Sequence, residues 1–374
     1  MKLFLVAGEP SGDRLGAALM AGLKALSPDV RFEGVAGPLM QAEGMGSLFP
    51  MEELSVMGIA EVLPKYFKLL ARIRETADAV LASRARALVT IDSPDFCLRV
   101  ARLVKEKRPE IRVIHYVAPS VWAWRPGRAA KMAKVVDHVL ALLPFEPPFM
   151  TAAGMTCDFV GHPVVAEPLA RPEECEAFRG NGPLILALPG SRRGEVSRLA
   201  PVLGQVLAQV KSAYPLARVA LPTLRGVADL VGELTVDWPI RPEIITDPMR
   251  KRAAFAAADA AIAASGTVSL ELAANSCPMV IAYKLHPISF WLMKRAALID
   301  TVTLVNLVSD TRAVPEFLGP ECQADAIAPA LLELLQDSPR RQAQLGAMAL
   351  TMQRLGQGGE PPGLRAARSV LAAL

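Results

Sequence analysis

The chain has 374 residues, 52% of them hydrophobic and 21% charged, with a formal net charge of +4. That composition fills the cores of two ordinary domains and excludes wholesale disorder, while so small a charge, with no aromatic-and-basic strip at strand spacing, makes no case for nucleic acid. Five scattered cysteines (Cys97, Cys157, Cys175, Cys277, Cys322), without C-x-x-C or zinc spacing, read as reduced, mostly buried thiols of a cytosolic protein.

The first predicted element is an apolar strand at 2–7. Glu9 cuts the apolar stretch, which is too short for a signal peptide, and no later run approaches the ~18 apolar residues that span a membrane. A soluble or peripherally attached protein is expected. The turn VAGEPSGDRLG (6–16) then leads into a helix. Its glycine spacing is neither the dinucleotide fingerprint nor a P-loop. What the turn holds, if not a nucleotide, is left open by its spacing, and the plainer reading is a helix start capped by Ser11 or Asp13. Residues 56–75 place Val62, Leu63, Tyr66, Phe67, Leu69, Leu70 and Ile73 among Lys65, Lys68, Arg72 and Arg74. Such a basic amphipathic helix suits an anionic membrane surface, or packs on a core with its charges in water.

A strand at 87–91 runs into Asp92 of TIDSPDF (90–96), at the sheet edge where open α/β folds place ligands. Asp92 is the candidate general base and Asp95 the candidate cap of the next helix. After a strand at 111–117, the loop holds Trp122, Trp124, Arg125 and Arg128, which cover a core edge or line a pocket for sugar, acyl chain or phosphate. His115 lies within the strand pattern and reads as structural; His162 and His286 have no assigned part. A strand at 138–142 follows. Residues 161–183, rich in Pro, Gly and charge, read as a linker.

The pattern then starts again. A strand at 184–188 opens LPGSRRGEV (188–196), where Ser191 and Arg192 flank a helix N-terminus suited to phosphate, or are a plain strand-helix turn with solvated arginines. Strands at 217–221 and 259–263 lead to SGTVSLE (265–271). Ser265, Gly266 and Thr267 at a helix start suit a diphosphate and Glu271, one turn on, suits a ribose diol; an ordinary N-cap with an ordinary helix glutamate is the plainer reading. A last strand is expected at 279–283, and ISFWLMKRAALI (288–299) repeats the membrane-surface pattern. The continuous apolar strands with helices between them predict an α/β fold of two doubly wound, Rossmann-like parallel domains facing a cleft, 1–165 and 166–356, rather than one large sheet with an insertion. No H-E-x-x-H, nucleophile elbow or D-x-D pair occurs, so no metal and no cofactor are expected.

Ten segments in order resemble the lipid-A-disaccharide synthase family: AGEPSGDRLGA (7–17), VAGPLMQAEGM (35–45), VMGIAEVL (56–63), IDSPDF (91–96), APSVWAWR (118–125), LLPFE (142–146), GHP (161–163), LPGSRRGEV (188–196), SGTVSLE (265–271) and CPMVIAYK (277–284). The resemblance implies a GT-B fold and an inverting transfer of 2,3-diacylglucosamine from UDP-2,3-diacylglucosamine to 2,3-diacylglucosamine 1-phosphate, without metal. It implies peripheral attachment to the anionic inner face of a Gram-negative inner membrane, and it leaves a homodimer open. Carried over by motif, Arg192 meets the diphosphate, Ser265-Gly266-Thr267 lie near it, Glu271 meets the ribose, Asp92 is the base and Asn306 is an active-site asparagine. Ser11, Gly12, Trp124 and Arg125 fall to the acceptor side. Val305 stands where the family's S-L-P-N-L segment has proline, Arg193 where glycine is common, and the tail 357–374 resembles a terminal helix that packs back on the first domain. The rival readings are a UDP-sugar epimerase, a two-lobed solute-binding protein and a membrane scaffold without turnover.

Overall fold

The computed structural model describes residues 1–54 and 59–374, the side chains of 59–66 and 287–289 excepted. Among these residues the chain forms two six-stranded parallel sheets and divides into two compact units, 1–166 with 358–374, and 167–357. The boundary falls in the Pro-rich stretch 161–183. That stretch folds locally into short helical segments, Pro163–Ala166, Pro172–Cys175 and Glu176–Phe178, and buries Phe178.

The first sheet contains β1 (Lys2–Ala7), β2 (Arg31–Val35), β3 (Ala87–Ile91), β4 (Arg112–Tyr116), β5 (His138–Ala141) and β6 (Thr156–Phe159), in the order β2-β1-β3-β4-β5-β6. Its strands are apolar on both faces because both faces are covered. Phe4, Val6 and Leu88 pack with Ile73, Ala77 and Val80 of the helix Ile59–Ser83 and with Val100 and Val104 of the helix Pro94–Lys107. Leu3, Leu5, Val89 and Ile91 pack with Leu15, Leu19 and Leu23 of the helix Pro10–Leu26 and with Ala366, Ala367 and Val370 of the terminal helix Pro362–Ala372. The last two helices touch through small residues: a Cβ on Gly22 would lie 2.6 Å from the Gly363 carbonyl oxygen, and one on Gly363 2.6 Å from that of Ala18. Ser369 joins His138 Nε2 at 2.8 Å and donates to Asp158 Oδ2 at 2.6 Å.

The second sheet contains β7 (Leu184–Leu188), β8 (Arg218–Pro222), β9 (Glu243–Ile245), β10 (Ala260–Ala263), β11 (Met279–Tyr283) and β12 (Glu316–Leu318), in the order β12-β11-β10-β7-β8-β9. Ile185, Leu221, Ile262 and Val280 meet Val196, Leu203 and Leu207 of the helix Arg193–Ala213 and Ile327 and Leu331 of the helix Ala324–Leu334.

In both sheets the chain builds outward from its first strand and then returns to that strand's other side. The order therefore reverses between β1 and β3, and between β7 and β10. Connections diverge there, which opens a crevice at the carboxyl ends of the strands. The edge strands β2, β6, β9 and β12 were not among the predicted strands. Among the described residues no helix is long and apolar enough to cross a membrane.

Candidate functional site

In the first unit the reversal lies between β1 and β3. The turn after β1 enters the helix Pro10–Leu26 with proline at its first position, where a missing N–H is harmless. Ser11 Oγ donates to Asp92 Oδ2 at 3.2 Å, bridging the two strand ends. A Cβ on Gly12 would sit 3.2 Å from the Ile91 carbonyl oxygen, so glycine allows this close approach. The expected caps are corrected. The N-cap position falls to Glu9, and Asp13 is buried, accepting from the amides of Leu39 and Met40 at 2.9 and 3.0 Å; it caps the next helix, Pro38–Ala42. At the start of the helix Pro94–Lys107, Ser93, not Asp95, takes the N-cap position.

Asp92 is half-buried. It lies just past β3 with φ 55°, its amide donates to the Tyr116 carbonyl at 2.9 Å, and its Oδ1 accepts from the Ser93 amide at 2.9 Å. One carboxylate thus has its two oxygens drawn to separate partners and remains open to solvent on one side. One strand over, the loop after β4 carries Trp124 and Arg125, whose guanidinium stacks over the indole at 4.1 Å. Trp122 turns inward and donates to Glu146 Oε1 at 3.2 Å, while Glu146 Oε2 accepts from the amides of Leu142 and Leu143 at 3.1 and 3.0 Å. Burial pushes the Glu146 carboxyl up to about 7 against those donors. His115 is buried against Thr90, with Nδ1 2.7 Å from its hydroxyl, and burial lowers its imidazole to about 4. Burial lowers His162 to about 4 as well, and its Nδ1 accepts from the Val164 amide at 3.2 Å.

In the second unit the reversal lies between β7 and β10, whose ends are paired through Leu188 and Ala263. Gly190 turns at φ 113°, and a Cβ there would meet Glu195 Oε2 at 2.7 Å. The amides of Ser191 and Arg192 donate to that same Oε2 at 3.2 and 3.4 Å. Arg192 Nη1 reaches Glu195 Oε1 at 3.2 Å, and Tyr283 at the end of β11 donates to Oε1 at 3.4 Å. Glu195 thus already holds two amides that the sequence offered to a phosphate, while the Arg192 guanidinium, though paired with Glu195, is exposed. A capping glutamate at the third helical position is a recognisable sequence signal.

Across the reversal, Gly266 turns at φ 144° and Ser265 Oγ donates to the Val302 carbonyl at 3.4 Å. Glu271 pairs with Lys251. Asn306 is buried, and its amide is fully used: Nδ2 donates to Thr301 Oγ1 and to the Val314 carbonyl, and Oδ1 accepts from the Val314 amide at 3.0 Å. It shapes the turn that backs Ser265. Glu316 does the same from β12, accepting from Thr301 Oγ1 at 2.6 Å and from the amides of Val302 and Thr303 at 3.0 and 2.7 Å. Nothing in local sequence marks Glu316, whose partners lie 13–15 residues away. Val305 is the second residue of the helix Leu304–Ser309, a position where proline and valine are interchangeable for hydrogen bonding. Among the described residues no three His, Cys, Asp or Glu side chains gather as a metal site.

A sequence model of the family described as lipid-A-disaccharide synthetase matches residues 3–360. The lipid-A-disaccharide synthase of Ruegeria pomeroyi is 61% identical over 99% of this chain and 95% of its own length, and that of Rhodospirillum centenum 48% identical over 99% and 94%. Among solved structures, the UDP-GlcNAc 2-epimerase of Neisseria meningitidis bound to UDP-GlcNAc superposes with TM-score 0.66 at 12% identity, covering 100% of this chain and 99% of that one. MurG of Acinetobacter baumannii superposes with TM-score 0.57 at 16% identity, covering 99% and 98%. At such identities the structures share the fold alone, the GT-B arrangement of two α/β domains.

Proposed function

Since the chain belongs to the lipid-A-disaccharide synthase family, we propose that its two sheets divide one reaction between them. The enzyme transfers 2,3-diacylglucosamine from UDP-2,3-diacylglucosamine to 2,3-diacylglucosamine 1-phosphate, giving the β-1,6-linked disaccharide 1-phosphate and UDP. That membership sets aside the epimerase, solute-binding and scaffold readings. The first unit takes the acceptor and the second takes the donor.

The observation that supports this division most is Asp92, solvent-facing at the β1/β3 reversal with Ser11 hydrogen-bonded to it. Asp92 accepts the proton of the acceptor 6-hydroxyl as that oxygen attacks the anomeric carbon. The bond from that carbon to the diphosphate breaks, its electron pair leaves with UDP, and the configuration inverts. Ser11 holds the carboxylate in line, Gly12 lets the backbone come close, and Trp124 with Arg125 borders the acceptor sugar and its phosphate. In the second unit Arg192 receives the growing charge on the diphosphate. The Arg192 guanidinium is exposed while its partner Glu195 is largely buried, so the guanidinium can turn to a phosphate and leave Glu195 held by the Ser191 and Arg192 amides. Ser191, Ser265, Gly266 and Thr267 frame the diphosphate, Glu271 meets the ribose, and Asn306 fixes the turn behind Ser265.

The lipid substrates place the enzyme at the anionic cytoplasmic face of an inner membrane, alone or as a homodimer. The membrane segment expected at 56–75 lies partly outside what is described, residues 56–58 entirely and the side chains of Val62, Leu63, Lys65 and Tyr66. In its described part Phe67 is exposed, while Leu69 and Leu70 pack on the core.

Purified enzyme given both lipid substrates yields disaccharide and UDP by mass spectrometry, and Asp92→Asn lowers kcat by about 10²–10⁴ with donor binding retained. Equal rates for the two proteins move the base elsewhere. Turnover of UDP-N-acetylglucosamine alone would restore the epimerase reading.

A further inference from the structure

We propose that the helix Pro287–Ala296 of the second unit is a docking surface for an anionic lipid bilayer. The inference rests on the reading of lipid substrates, which reside in such a bilayer. Phe290 meets the rest of the unit, and a Cβ on Gly319 would fall 2.5 Å from its ring. From Trp291 to Leu298 every residue is exposed: Trp291 58%, Leu292 55%, Leu298 59%. Three consecutive positions, Trp291 to Met293, sweep about 200° of a helix. A single acyl chain covers one flank of such a helix, and a continuous apolar medium covers all of it.

The charge of the helix and its flanking chain matches anionic headgroups, with one acidic neighbour, the exposed Glu321 of the segment Gly319–Glu321 that packs against the helix. No acidic residue occurs between Glu271 and Asp300, whereas Lys284, Lys294 and Arg295 do. Asp300 itself pairs with Arg312 at 2.6 Å. Arg295 lies over the Trp291 ring at 5.6 Å, a cation beside an indole as at a membrane interface. The helix Ile59–Ser83 offers less in its described part. Leu69, Leu70 and Ile73 face the core there, and Lys68 and Arg72 pair with Glu53 at 3.2 and 2.7 Å.

The test floats the full-length enzyme with phosphatidylcholine vesicles and with vesicles that also contain phosphatidylglycerol. Wild type floats with the anionic vesicles. W291E/L292E loses about tenfold or more of that binding. K294E/R295E loses about tenfold on anionic vesicles at low salt and nothing on neutral ones. Both variants keep the wild-type thermal midpoint, since no packed side chain is removed, and both keep disaccharide formation from detergent-dispersed substrates. Wild type that fails to float, or flotation unchanged in both variants, overturns the proposal. So does loss of self-association in W291E/L292E with flotation unchanged, which assigns the helix to a second copy of the chain. Wild type that floats but makes no disaccharide in detergent counts against the reaction assignment and leaves the docking result standing.

Discussion

Asp92 and Ser93 hold φ angles of 55° and 44°, and Val117, at the end of the neighbouring strand, 87°. Such backbone costs a residue with a side chain ~1 kcal/mol or more, most for a β-branched one, so strain gathers beside the proposed base. Gly8 is glycine for the same geometry: a Cβ there would lie 2.6 Å from Ser93 Oγ. Glu146 carries a second local tension, a carboxyl buried with three donors and raised from 4.5 to about 7, close enough to Cys157 to raise its thiol further. Between those two pH values the folded state binds the proton that the unfolded chain releases, so Glu146 lowers stability as pH rises and has no further effect above about 7. Urea unfolding across this range is expected to show wild type losing up to about 3 kcal/mol relative to Glu146→Gln as pH increases. A constant difference would mean that the carboxyl titrates normally. The residues proposed to face ligands were legible because strand ends are legible: Asp92, Arg192 and Ser265 follow apolar runs. Glu146 and Glu316 were not, because each serves loop amides that only the tertiary fold brings to it. Asn306 was reached through resemblance alone, and its buried amide is committed to the 301–314 turn.

The eight strands anticipated from the sequence are the eight interior ones, and the four not anticipated, β2, β6, β9 and β12, are the edges. An interior strand is covered on both faces and on both sides, so it reads as an unbroken apolar run. RFEGV, TCDF, EII and EFL are short and half-exposed; the charges of the first three stand at an edge that faces water, and the one charge of EFL, Glu316, is taken up by the 301–303 turn. The terminal helix was anticipated by resemblance. What seats it was hidden, because Gly22 and Gly363 are ordinary helix glycines until the helices meet. Gly363→Val is expected to drive a side chain into the Ala18 carbonyl and to lower unfolding stability by about 2 kcal/mol, and Gly363→Ala by less, as read from urea denaturation. Equal stability of all three would show that the helix does not seat there.

Residues 167–357 form one compact unit lying, in sequence, inside another. The first unit draws its final helix from the far end of the chain, and that helix covers Leu19, Leu23 and the His138 ring. Deleting 358–374 is expected to leave the first unit open to trypsin while a fragment near 167–357 resists, which mass spectrometry of the digest would read. Equal resistance of both parts would make the terminal helix dispensable. The same nesting sets an order on synthesis. Every residue of the second unit has been translated before the last helix of the first exists, so the half that is begun first is finished last. A nascent chain therefore carries an uncovered apolar helix face until residues 362–372 have been made, and a chain stopped short of them leaves its beginning, rather than its later half, unfinished.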